Sequence, residues 1–105
     1  MDIKHRIGMK DCELLIFAND DLTFHVSLCS TVNPLGRGNL LDRFDDERQA
    51  IEAAERFQWM YALAKEHGYY LKQDRFTKPN RQEIHISVMK DGTMTKEQYR
   101  LQLQA

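Results

Sequence analysis

The stretch from Asp45 to Gly68 (DDERQAIEAAERFQWMYALAKEHG) constrains the fold of this chain more than any other. At about 100° of rotation per residue, Ala50, Ala53, Ala54, Phe57, Met60, Tyr61 and Ala64 fall on one apolar arc, as in a helix with one buried side. Asp45 or Asp46 supplies an N-cap, and acidic residues stand in the first turn, at the positive end of the helix dipole. Lys65 and His67 occupy the last turn, and Gly68 fits the C′ position, where a left-handed residue ends a helix. The rest of the chain must cover that arc.

Trp59, the only tryptophan, lies roughly two and a half turns beyond Ala50 and so points away from the arc. Arg48, Glu52, Glu55, Leu63 and Glu66 surround it there. A large amphipathic ring on a charged face needs either a cover from its own chain or a partner, because Trp is enriched among interface anchors. Trp59 and Leu63, spaced i and i+4, with Glu52 and Arg56 in the preceding turns, are the candidate partner-binding residues.

At 105 residues the chain is read as a single domain, 1–105, large enough to bury its own core. Its 42% apolar and 30% charged content matches a folded globular protein and not a disordered segment. No apolar run approaches the roughly 18 residues of a membrane span, and the charged MDIKHRIGMKDC start lacks the apolar core of a signal peptide. A cytoplasmic location is the expectation. Cys12 and Cys29 form neither a metal spacing nor a disulfide framework, and no cofactor motif or metal site is expected. The net charge of −1 conceals an excess of four negative charges in residues 1–67 and three positive in 68–105. The later part suits an anionic partner, whereas the whole chain has no bulk attraction to nucleic acid.

Leu22, Phe24, Val26 and Leu28 alternate with Thr23, His25, Ser27 and Cys29, the period-two mark of a strand with one buried face. Cys12 to Ala18 is a second strand, with Asn19, Asp20 and Asp21 between them. A three-residue turn sets Ile16 opposite Phe24 and Leu14 opposite Val26, buries Cys12 and leaves Cys29 on the other face. A two-residue turn instead brings Cys12 across from Cys29, so a disulfide there would overturn the first register. Thr31 to Asn39, with Pro34, Gly36 and Gly38, reads as a loop into a short extended piece at Leu40–Phe44. Gly36-Arg37-Gly38 lacks the glycine spacing and following lysine of a phosphate loop.

Beyond the helix, Tyr69–Arg75 and Gln82–Met89 are expected to form a hairpin through a loop containing Phe76, Thr77, Lys78, Pro79 and Asn80. Asp91 and Gly92 make a turn, and Thr95 with Gln98 forms a capping box for a short C-terminal helix. Such a helix is marginal alone, so Tyr99 and Leu103 must dock on something, with Trp59 and Leu63 one candidate. The order is ββ(β)αββα: an α+β fold with a mainly antiparallel sheet of four to five strands, one long helix and a short C-terminal helix.

Three groups of residues carry functional readings. His25-Val26-Ser27 and His85-Ile86-Ser87 each place a histidine and a hydroxyl side by side on one strand face. On neighbouring strands the two imidazoles could act as base and acid on one phosphate. This pairing resembles the two-histidine phosphoesterases, whose His-x-Thr/Ser motifs on central strands act on cyclic phosphates and RNA ends. The resemblance covers only these two tripeptides, and it implies catalytic roles for His25, Ser27, His85 and Ser87. Cys29 shares the face of His25 but reads as a small apolar filler. Lys72, Arg75, Phe76, Lys78 and Arg81 form a basic hairpin with aromatic neighbours, the pattern of a nucleic-acid contact. The leading reading is a small non-enzymatic binding or regulatory domain that uses the Trp59 face to form a homodimer or hold a protein partner.

Overall fold

The computed structural model describes residues 2–10, 12–30, 39–72 and 74–104; residues 31–38, for which the sequence suggested a loop including Gly36-Arg37-Gly38, lie outside them. The elements run β1 (Asp2–Gly8), β2 (Cys12–Ala18), β3 (Phe24–Ser30), β4 (Asn39–Phe44), α1 (Glu47–Glu66), β5 (Tyr70–Lys72), β6 (Arg75–Thr77), β7 (Ile84–His85), a 3-10 helix (Ile86–Lys90) and α2 (Lys96–Gln104). The fold is α+β, with a four-stranded antiparallel sheet ordered β1-β2-β3-β4 and a three-stranded antiparallel sheet ordered β5-β6-β7. Among the described residues no helix is long and apolar enough to cross a membrane. Two compact units divide inside α1, the first reaching Glu55 and the second starting at Arg56.

In the first unit β2 is the core strand, with Leu14 and Ile16 fully buried and Val26 of β3 beside them. Cys12 is buried, Cys29 is on the other face, and neither is in a disulfide. The strand faces are those read from the alternation, but the pairing is displaced. Ile16 pairs with Val26 and Leu14 with Leu28, because the turn takes in Asn19 to Thr23 rather than three residues. A shift of two residues keeps every side chain on its face, so alternation cannot distinguish the two registers. Local hydrogen bonds decide it: Asn19 N–H donates to Thr23 O at 2.8 Å and Leu22 N–H to Asn19 O at 3.2 Å. Leu22 accepts a left-handed φ of 68° to close the turn.

Strand β1 had no sequence signal, and its burial explains why. It is an edge strand in which Ile7 alone is buried, so no apolar alternation can develop. Its register on β2 shifts between Ile3 and His5, a bulge of the kind that blunts sheet edges. The extended piece expected at Leu40–Phe44 is β4, irregular at Leu41, which is buried.

The ends of α1 follow their residues. Asp46 Oδ1 accepts from the Arg48 N–H at 3.1 Å. At the other end the Tyr69 N–H donates to Ala64 O and the Gly68 N–H to Lys65 O, with Gly68 at φ 84°, a Schellman closure. Ala50, Ala53, Ala54, Phe57, Met60 and Ala64 are all fully buried, and Tyr61 partly so.

The second unit departs from the expected long hairpin. Strands β5 and β6 close tightly, Lys72 pairing with Arg75, so Phe76 and Thr77 are strand residues rather than loop. The strand expected over Gln82–Met89 is only Ile84–His85, and the chain then turns into the 3-10 helix. Ile84, Ile86 and Val88 satisfy a strand pattern, but Ile86 and Met89 are the buried pair, spaced by the three residues of a 3-10 turn. Helix α2 opens with the expected capping box: the Gln98 N–H donates to Thr95 Oγ1 at 3.1 Å and the Thr95 N–H to Gln98 Oε1 at 3.0 Å.

Candidate functional site

The two His-x-Ser motifs fold differently. His25 and Ser27 lie in β3 of the four-stranded sheet, whereas His85 ends β7 of the three-stranded sheet and Ser87 belongs to the 3-10 helix. The two histidines therefore do not share neighbouring strands, which the phosphoesterase-like pairing required.

Hydrogen bonding fixes their tautomers in opposite senses. Starting from the Asp21 carboxylate, the Thr23 hydroxyl donates to Asp21 Oδ1, and Asn19 Nδ2 donates to Thr23 Oγ1 at 3.0 Å. That orientation turns Asn19 Oδ1 toward His25, so His25 Nδ1, 2.9 Å away, must carry the hydrogen. Nε2 is left with its lone pair. The ring stacks on Phe17, its register partner in β2, with centroids 4.8 Å apart. Burial first, and the positive charge of Arg43 second, lower the pKa of His25, which favours the neutral ring. Asn19, Asp21, Thr23 and Arg43 were not singled out from sequence; the Asn-Asp-Asp run signalled a turn but not the chain of hydrogen bonds it carries.

At His85 the Ser87 N–H donates to Nδ1 at 3.0 Å and Nε2 stands 3.1 Å from Asp74 Oδ2. Both ring nitrogens are engaged, so neither serves an incoming substrate in this arrangement. Ser27 is buried at 7% exposure. The Cys29 thiol is pushed up in pKa by burial and then by Glu13, the reverse of nucleophile activation. An oriented neutral imidazole at His25 is one part of an acid/base site, but among the described residues no nucleophile beside it is activated. Among the described residues no group of three or more His, Cys, Asp or Glu side chains is placed to hold a metal ion.

The basic hairpin is largely committed internally. Phe76 is 1% exposed, with its ring centroid 5.8 Å from that of Phe57, so it offers no face for a base. Arg75 pairs with both Asp74 and Glu83 at 3.2 Å. Lys78 Nζ donates to His67 O at 2.6 Å and lies 5.7 Å over the Tyr69 ring, while Lys72 and Arg81 are exposed.

Trp59 has a partner within its own unit. Tyr99 of α2 meets the indole edge-on, with ring centroids 5.7 Å apart. Tyr99 and Leu103 are buried, and the Tyr69 hydroxyl donates to Leu103 O at 3.2 Å, fastening the last turn of α2. Yet Trp59 and Leu63 remain only half-buried, and among the described residues the indole N–H has no hydrogen-bond partner. Arg56 Nε donates to Met89 O at 2.6 Å, tying α1 to the 3-10 helix, and Glu52 pairs with Arg48 at 3.1 Å. No protein-family model matches this chain, nor does any curated protein or solved structure.

Proposed function

We propose that this chain is a small non-enzymatic binding domain of the cytoplasm that works by protein–protein contact at the Trp59 surface, with a second copy of itself or with another protein. One observation carries the reading: although Tyr99 packs perpendicular to Trp59, the indole stays half-buried beside half-buried Leu63, and among the described residues its N–H has no hydrogen-bond partner. An aromatic ring already packed against one neighbour and still partly exposed binds with little ordering cost. Cys12 and Cys29, neither of them in a disulfide, agree with a reducing compartment.

Two measurements test it. Light scattering of the wild type and of Trp59→Ala reads self-association, and a photo-crosslinking residue at position 63 reads capture of a partner in cells. For a half-buried ring the alanine change is expected to cost about 2 kcal/mol of stability, roughly half the fully buried figure, leaving a folded monomer. A wild type that dimerises through Trp59, or a cross-linked adduct lost in Trp59→Ala, supports the proposal. A strictly monomeric wild type that yields no adduct overturns it.

A further inference from the structure

We propose that His85 is a pH-operated latch on the start of the 3-10 helix, releasing the Ser87 amide when its imidazole takes up a second proton. The backbone N–H of Ser87 is a donor at every pH, so His85 Nδ1, 3.0 Å away, carries the lone pair and Nε2 the hydrogen. That hydrogen faces Asp74 Oδ2 at 3.1 Å. The Arg75 guanidinium first, and His85 after it, keep the Asp74 carboxyl below its ordinary range, so it offers that hydrogen an ionised acceptor.

The charged groups around the ring come from three places. Asp74 lies between β5 and β6, Arg75 is the register partner of His85 in β6, and Glu83 precedes β7 and pairs with Arg75 at 3.2 Å. On the 3-10 helix the ring meets the Ser87 amide, and Lys90 closes the last turn.

Protonation puts a hydrogen on Nδ1. Two donors then face each other across the cap, which must open, while the Nε2 bond to Asp74 becomes an ion pair. The ring stays anchored at one nitrogen and lets go at the other. The Ile86 N–H donates to Asp74 O at 2.9 Å, and Met89 O is held by Arg56 at 2.6 Å, so both flanks of the opening are fastened. The change is confined to the exposed Ser87 end of the helix.

Nuclear magnetic resonance of the whole chain between about pH 8 and pH 5 tests the latch through the ring nitrogen shifts and the Ser87 amide exchange. The expected ring at the upper pH is protonated at Nε2 and bare at Nδ1, with the Ser87 amide protected about tenfold over its intrinsic rate. That protection disappears along the curve that protonates the ring. In His85→Asn, whose side-chain oxygen accepts at any pH, protection is expected to stay constant. An Nδ1-protonated ring at the upper pH, Ser87 protection indifferent to ring titration, or the same loss in His85→Asn each overturns the proposal. Should the variant fail to fold, the wild-type tautomer and amide alone decide.

Discussion

His25 shows how one side chain couples folding to pH. Unfolded, it titrates near its ordinary value of about 6.5. Folded, burial first and Arg43 second hold it lower, so folding disfavours the imidazolium. The stability this contributes is complete above about pH 6.5 and is lost as pH falls through the lowered folded value. In urea unfolding, the wild type is expected to lose stability relative to His25→Gln as the solution is acidified; parallel curves for the two proteins would contradict this. The alternation in β3 placed His25 opposite the core strand face, and that much was readable from sequence. Its tautomer was not, because it descends from Asp21 through Thr23 and Asn19, residues whose types announce only a turn. Leu22 is a similar case: nothing about a leucine anticipates a φ of 68°, which the closure of the five-residue turn imposes.

Among the elements, α2 states its own limits through Tyr99. The ring is fully buried against Trp59, but its hydroxyl is buried with no hydrogen-bond partner among the described residues. Burial and the nearby Tyr69 push the phenol far above its ordinary range, so it stays neutral. Tyr99→Phe keeps the packing and removes a desolvated hydroxyl, and is expected to be neutral or to stabilise by up to about 1 kcal/mol. Tyr99→Ala removes the ring and is expected to cost about 3–5 kcal/mol. Chemical denaturation distinguishes them; equal losses in the two variants would mean that the hydroxyl has a bonding role. The helices were legible because their caps are local: Asp46, Gly68, Thr95 and Gln98 act within a turn of their own sequence. Strands β1 and β6 and the 3-10 helix were not. At an edge strand burial leaves no periodic trace, and Ile84, Ile86, Val88 and Met89 fit two periods until tertiary packing selects one.

For the molecule as a whole, a net charge of −1 leaves specific surfaces rather than bulk attraction to choose partners. The positive excess after residue 67 is concentrated around the second hairpin, where Arg75 is neutralised by two carboxylates and Lys78 by a backbone carbonyl and an aromatic ring. The chain is therefore expected to elute from a heparin column early, at or below physiological salt. Strong retention that weakens steeply with salt would return the hairpin to consideration as a nucleic-acid surface.

The strand order carries a consequence of another kind, in time. In both sheets every strand pairs with the one made just before it, β1 to β4 in one and β5 to β7 in the other. Each closure spans a short stretch of chain, so the entropy lost per pairing is small and no strand waits for a distant mate. Such a chain can assemble its sheets at the pace of synthesis, leaving little interval in which an unpaired apolar strand such as β2 is open to a neighbouring molecule.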